Sequence, residues 1–69
     1  MSEIIFIVEE NPEGGYTAKA VGEAIFTEAD TIAELKNMVK DAVKCHFDSE
    51  ADRPVLIRLH LVKDEVISA

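Results

Sequence analysis

A run of five apolar residues, Ile4-Ile5-Phe6-Ile7-Val8, restricts the fold of this 69-residue chain more than any other feature. The run is β-branched and aromatic and is followed by turn-forming residues, so it predicts a strand rather than a helix. Because successive side chains of a strand point to opposite faces, both faces of this strand are apolar. A strand with one face in water would alternate apolar and polar residues. The sequence therefore predicts a sheet that needs cover on both faces.

Two turns place further strands after the first one. Pro12 and the Gly14-Gly15 pair give the strongest turn signal, because proline fixes φ at the first turn position and glycine accepts positive φ. Residues 16–21 then form the second predicted strand and residues 24–28 the third, joined by a two-residue turn at Gly22-Glu23. We expect these strands to form an antiparallel meander.

A helix is predicted from about Ile32 to Phe47. Thr31 followed by Glu34 matches a capping box, with Asp30 as a competing N-cap. Apolar side chains recur at helical spacing and predict one inward-facing stripe, with Ala42 and Phe47 on its flanks. The stripe consists of Ile32, Leu35, Val39, Val43 and His46.

A second β-branched and leucine-rich run, residues 55–62, predicts a fourth strand, and residues 65–67 are a candidate for a short fifth strand. We expect the helix to return the chain to the sheet beside the first strand and parallel to it. The predicted fold is α+β, a two-layer β-β-β-α-β arrangement in which residues 1–69 form a single domain.

One helix covers one face of such a sheet, so the apolar side chains of the other face need a partner. The chain is also too short to bury much surface alone, and its single cysteine excludes an internal disulfide. We therefore expect a second copy of the chain, as a dimer or larger assembly, to cover this face. The predicted contact residues are Ile5, Ile7, Leu56, Arg58, His60 and Val62.

The charge of the chain narrows the range of partners. Fourteen acidic and seven basic side chains give a net charge of −7, which disfavours direct binding of DNA or RNA and attracts a basic protein. The same acidic surface also keeps a small protein soluble, and the two interpretations are compatible. The start of the chain resembles neither a signal peptide nor a membrane span, and the lone cysteine is typical of a cytoplasmic protein.

Candidate catalytic groups are few. His46 is expected to be a hydrogen-bonded residue of the helix stripe, and His60 is either a solvated strand residue or a partner contact. Cys45 and His46 point about 100° apart on a helix and cannot form a nucleophile–base pair, whereas Cys45 with His60 stays geometrically open. The Gly14-Gly15 pair lacks the lysine of a phosphate loop. We therefore assign no catalytic residue, no cofactor and no metal ligand.

Three stretches resemble the HicB antitoxin family: residues 5–10, residues 12–16, and residues 28–35 with the amphipathic helix that follows. The resemblance covers about residues 4–47 and depends mainly on Glu13-Gly14-Gly15-Tyr16 and on Asp30-Thr31 with Glu34. It implies a partial ribonuclease H-like fold without the nuclease site. It also implies dimerisation and neutralisation of a small basic ribonuclease toxin of the HicA type.

The chain also departs from the family pattern. Val21-Gly22-Glu23-Ala24 stands where the family usually has Pro-Gly-Cys, and the sequence stops at Ala69, without the DNA-binding segment that members often carry. We expect a solitary, short, divergent member that does not bind an operator. The alternatives are an orphan structural or regulatory module without a toxin, and a small hydrolase that uses His46, His60 and nearby carboxylates. The hydrolase requires those side chains to converge in one cleft.

Overall fold

The computed structural model describes residues 2–63 and 65–69 and has the predicted β-β-β-α-β order in that part of the chain. The elements are β1 (Glu3–Glu10), β2 (Tyr16–Ala20), β3 (Phe26–Ala29), α1 (Ile32–His46) and β4 (Leu56–Val62).

The strands form one sheet in the order β3-β2-β1-β4. β2 pairs antiparallel with β1 and with β3, and β4 pairs parallel with β1. In the parallel pair Ile4 faces Ile57 and Phe6 faces Leu59, so the two apolar runs of the sequence lie side by side at the centre and one edge of the sheet. The predicted α+β class and the position of the fourth strand are confirmed.

The β1–β2 turn uses glycine for its backbone geometry. The Asn11 amide donates to the Gly15 carbonyl at 2.9 Å, and the Gly14 amide donates to the Asn11 carbonyl at 3.0 Å. Gly14 and Gly15 have φ values of +106° and +85°, which side chains of L-residues rarely allow. The turn fixes the register in which Tyr16 faces Glu10.

The β2–β3 connection is longer than the predicted two-residue turn. The register is the one that a turn at Gly22-Glu23 would produce, but the last hydrogen-bonded pair is formed by Ala20 and Ile25, with the Ala20 amide 3.0 Å from the Ile25 carbonyl. The Val21 amide points the other way and donates to Ile5. Hydrogen-bonded and non-bonded pairs alternate along an antiparallel ladder, so Val21 and Ala24 would be a non-bonded pair. A two-residue turn closes on a hydrogen-bonded pair and cannot form there. Residues 21–24 consequently form a loop, and β3 begins later than predicted.

The helix begins as predicted and ends one residue early. Thr31 is the N-cap, and its hydroxyl accepts a hydrogen bond from the Glu34 amide at 3.1 Å. The Phe47 amide caps the other end by donating to the Val43 carbonyl at 3.1 Å. The Arg53 guanidinium donates to the Phe47 carbonyl at 3.2 Å, where the negative end of the helix dipole favours a cation.

The core lies between the helix and one face of the sheet, which we call the closed face; the opposite face is the open face. Phe6 and Leu35 have no exposed surface, and Val8 and Val39 have almost none. The remaining buried apolar residues are Ile4, Ala18, Ala20, Ile25 and Val43.

The helix covers less of the closed face than the sequence suggested. It packs mainly on β3 and β2, and the closed-face residues of β4 are partly open, with Leu61 58 % exposed. The outer strands of a four-stranded sheet are about 14 Å apart, whereas a helix with its side chains is about 10 Å across. One helix therefore leaves one edge of its own face uncovered.

Residues 65–67 do not form the fifth strand that was a candidate in the sequence. The structure shows no strand pairing for residues 65–69. Val66 and Ile67 are 94 % and 81 % exposed, so two apolar side chains that a fifth strand would have packed have no cover. The β4 edge of the described sheet is correspondingly unpaired.

Candidate functional site

The six predicted contact residues share the open face. Ile5 faces Arg58 and Ile7 faces His60 in the parallel register, and both rows point away from the helix because Phe6 between them points into the core. Leu56 and Val62 lie at the two ends of β4 on the same face. The structure thus places these residues together, and their role as an interface stays a prediction.

The open face has more apolar surface than the six predicted contact residues provide. Phe26 is 62 % exposed and faces Lys19, which in turn faces Ile7. Phe26, Lys19, Ile7 and His60 therefore form one row across all four strands. Phe26 stands between two buried residues, Ile25 and Thr27. This alternation places Phe26 on the open face, but it can be recognised only once the register of β3 is known.

An ion pair crosses the open face beside Leu56. The Arg58 Nε donates to the Glu3 Oε1 atom, and Glu3 is the register partner of Leu56. The hydrogen bond to the Glu3 carboxylate, followed by its charge, raises the pKa of Arg58 above its ordinary value. Arg58 is therefore a paired cation on the surface of the monomer.

The two histidines lie on different sides of the sheet. His46 is the last residue of the helix on the closed-face side, whereas His60 is exposed on the open face. The expectation that His46 belongs to the inward-facing stripe is wrong: its Nε2 lies 3.0 Å from the Glu23 Oε2, and both side chains are partly exposed. The β2–β3 loop lies beside this end of the helix and supplies the hydrogen-bond partner, Glu23.

The candidate catalytic groups do not converge. Cys45 is exposed on the helix, and the sheet separates it and His46 from His60. Within residues 2–63 and 65–69, no three histidine, cysteine or carboxylate side chains lie close enough together to hold a metal ion. Cys45 and His46 therefore do not share one surface of the described residues with His60.

Acidic residues gather around the Gly-Gly-Tyr turn. Glu28, Asp30 and Glu34 line a cleft of about 430 Å³ together with Gly15 and Tyr16. The carboxylates come from the end of β3 and the first turn of the helix, which the β1–β2 turn approaches closely. This end of the molecule presents a negative, concave surface.

Tyr16 on the same turn is coupled to Glu10. The Glu10 charge is the largest cause that raises the Tyr16 pKa above 10.0, and desolvation and a hydrogen bond to Glu10 act in the same direction. Because the two residues are register partners, the contact is built into the β1–β2 pairing.

We expect Tyr16 to ionise at higher pH in the folded chain than in the unfolded chain. Near-ultraviolet tyrosinate absorbance reports it directly, since the sequence has one tyrosine and no tryptophan. Because its pKa is raised on folding, protonated Tyr16 stabilises the folded chain relative to ionised Tyr16. This stabilisation is complete below the ordinary tyrosine pKa and is lost as the pH rises through the folded pKa. Glu10→Gln should lower the Tyr16 pKa toward its ordinary value, and Glu13→Gln serves as the control. Identical titrations for both variants would contradict the assigned cause.

No helix in the described residues is of a length and apolarity that would let it span a membrane.

Comparison with known proteins gives two close relatives. A UPF0150 protein of Archaeoglobus fulgidus is 58 % identical over 53 residues, which cover 77 % of this chain and 77 % of that protein. A UPF0150 protein of Thermotoga maritima is 48 % identical over 66 residues, which cover 96 % of this chain and 91 % of the relative. No family model matches the chain. No solved structure matches it either.

Proposed function

The chain belongs to the UPF0150 family, and we propose that it acts as a non-enzymatic protein–protein interaction domain of the HicB antitoxin type. In this proposal it associates with a second copy through the open face and neutralises a small basic ribonuclease in the cytoplasm.

The observation that carries the proposal is the apolar content of the open face. Ile5, Phe26 and Leu56 are large apolar side chains that remain exposed in the monomer on one side of the sheet. Antiparallel and mixed sheets that face water on one side normally have polar side chains there. Large apolar side chains exposed on one sheet face are typical of a binding site.

Charge supports a basic partner. The chain has a net charge of −7, and Glu28, Asp30 and Glu34 concentrate negative charge around the cleft beside Tyr16. Opposite charge raises the rate of encounter with a basic protein and disfavours acidic competitors.

The residues behind the HicB resemblance have structural roles in this chain. Gly14 and Gly15 provide positive φ values in the β1–β2 turn, and Thr31 caps the helix by bonding to Glu34. The motif therefore supports a shared architecture, and the exposed surfaces support the interaction role.

Replacing Leu56 with lysine is expected to weaken self-association, because the charge would be buried in the proposed contact. We expect the dissociation constant to rise at least about tenfold. Met38→Lys is the matched control, since Leu56 and Met38 are both 46 % exposed but only Leu56 lies on the open face. Light scattering across a dilution series measures the molar mass. Equal effects of the two substitutions would exclude the open face as the contact.

A second arm of the same experiment adds a small basic ribonuclease of the HicA type. The proposal expects the wild-type chain to suppress cleavage of RNA in proportion to the chain added, more strongly at low salt. Normal cleavage at every ratio, with self-association intact, would leave the orphan structural or regulatory module as the better description.

A further inference from the structure

A groove on the closed face, between the helix and β4, is a second unoccupied surface. It has a volume of about 480 Å³ and is lined by the apolar side chains of Ile32, Val39, Ile57, Leu59 and Leu61. It exists because the helix packs over β3 and β2 and leaves the β4 edge open. This surface faces away from the contact residues of the proposed function.

The charges of the groove differ from those of the rest of the chain. Lys36 and Lys40, one helical turn apart, line the groove, and none of the carboxylates in residues 2–63 and 65–69 does. The whole chain has only seven basic residues against fourteen acidic ones. The groove therefore fits an apolar segment with a negative charge and disfavours a basic partner.

The unpaired backbone at the β4 edge also restricts what can bind in the groove. β4 pairs with β1 on one side only, so the amides and carbonyls along its outer side lack strand partners in the described residues. An apolar edge strand in this state readily accepts an extended segment as an added strand. The occupant is thus an extended, acidic and apolar peptide.

We propose that residues 65–67 of a second copy of this chain occupy the groove as an added strand along β4, and that the two copies exchange these segments reciprocally. The segment reads Glu65-Val66-Ile67, and its two apolar side chains are 94 % and 81 % exposed. Because alternate residues of a strand share a face, Ile67 packed on Leu59 and Leu61 places Glu65 on the side of Lys36 and Lys40.

The segment of a second copy fits the groove better than the segment of the same chain. Val66 lines a cleft at the β1–β2 turn together with Pro12 and with Val62, the last residue of β4, and it is not among the described residues that line the groove. A return to the same β4 would require a tight reversal directly after Val62, where the connecting dipeptide contains neither glycine nor asparagine. Reciprocal exchange satisfies both grooves under two-fold symmetry.

Sedimentation equilibrium on the full chain tests the exchange. The double variant Val66→Ser/Ile67→Ser and the groove variant Leu61→Ser should each raise the dimer dissociation constant at least about tenfold. Val55→Ser is the control, since Val55 is 72 % exposed but does not line the groove. The substituted side chains are exposed in the monomer, so all variants should fold, which circular dichroism verifies.

Charge reversal identifies the contact between segment and groove. Glu65→Lys and the pair Lys36→Glu/Lys40→Glu should each weaken association several-fold at low salt, and combining all three substitutions should restore it. No restoration would exclude the proposed contact of Glu65 with the lysines.

The possible outcomes separate this proposal from the open-face contact. Association that survives the segment variants but fails with Leu56→Lys would overturn segment exchange and leave the open-face proposal standing. Segment variants that expose the β4 amides to hydrogen exchange without changing the molar mass would show that the segment occupies its own groove. A monomer at every concentration would overturn both proposals.

Discussion

Phe6→Ala is expected to destabilise the chain by about 3–5 kcal/mol, which is most of the stability of a domain this small. Phe6 has no exposed surface, and it lies at the centre of β1 between Ala20 and Leu59 in the register. Removal of its ring leaves a cavity that the helix and the sheet cannot close without breaking the strand pairing around it. Urea unfolding followed by circular dichroism measures the loss as a shift in the transition midpoint.

Phe26→Ala is the matched control, because it removes the same side chain from the open face, where Phe26 is 62 % exposed. We expect it to cost less than about 1 kcal/mol in the dilute monomer. Similar shifts for both variants would mean that Phe26 is as buried as Phe6 under the conditions of the measurement. That result would contradict the division into closed and open faces for the monomer.

Gly15→Ala is expected to have the second largest effect. Gly15 has a φ of +85°, and an added Cβ atom would lie 3.1 Å from the carbonyl oxygen of Ala29. That carbonyl cannot move freely because Ala29 is the register partner of Tyr16. We expect a loss of about 2–3 kcal/mol, the sum of the left-handed backbone and the close contact.

Gly22→Ala separates these two contributions. Gly22 has nearly the same φ, +84°, but nothing lies within 4 Å of an added Cβ atom. It should therefore cost about 1–2 kcal/mol, from the backbone conformation alone. Thermal unfolding of both variants measures the difference. Equal losses would show that the approach of the β1–β2 turn to β3 contributes nothing to stability.

Different exposed surfaces of the molecule suit the two proposed kinds of contact. The open face and the acidic cleft near Tyr16 suit self-association and a basic protein, whereas the helix–β4 groove has lysines and suits an acidic, apolar segment. The open face and the helix–β4 groove lie on opposite faces of the sheet. Both kinds of contact can therefore form in one assembly.

Local patterns in the sequence were sufficient to predict the order of the helix and the four strands, and which of the predicted contact residues share a face. The periodicity of Leu35, Val39 and Val43 predicted the helix, and Thr31, as its N-cap, predicted where it begins. Successive side chains of a strand point to opposite faces, and this period of two predicted which residues of β1 and β4 share one face: Ile5, Ile7, Leu56, Arg58, His60 and Val62. These features depend on neighbouring residues within one element, whose geometry is fixed by the period of the helix or strand.

Features that depend on two elements required the tertiary structure. The length of the β2–β3 loop follows from which amides of β2 face β1, and the exposure of Phe26 follows from the resulting register. The hydrogen bond between His46 and Glu23 likewise depends on the position of the β2–β3 loop beside the end of the helix.

The apolar run Ile4–Val8 is enough to show that the first strand needs cover on both of its faces. The place where cover is missing follows from the packing of the helix, which is narrower than the sheet, lies over β2 and β3 and leaves β4 open. Periodicity states which side chains face the same way, but the position of one element over another depends on packing among residues far apart in the chain.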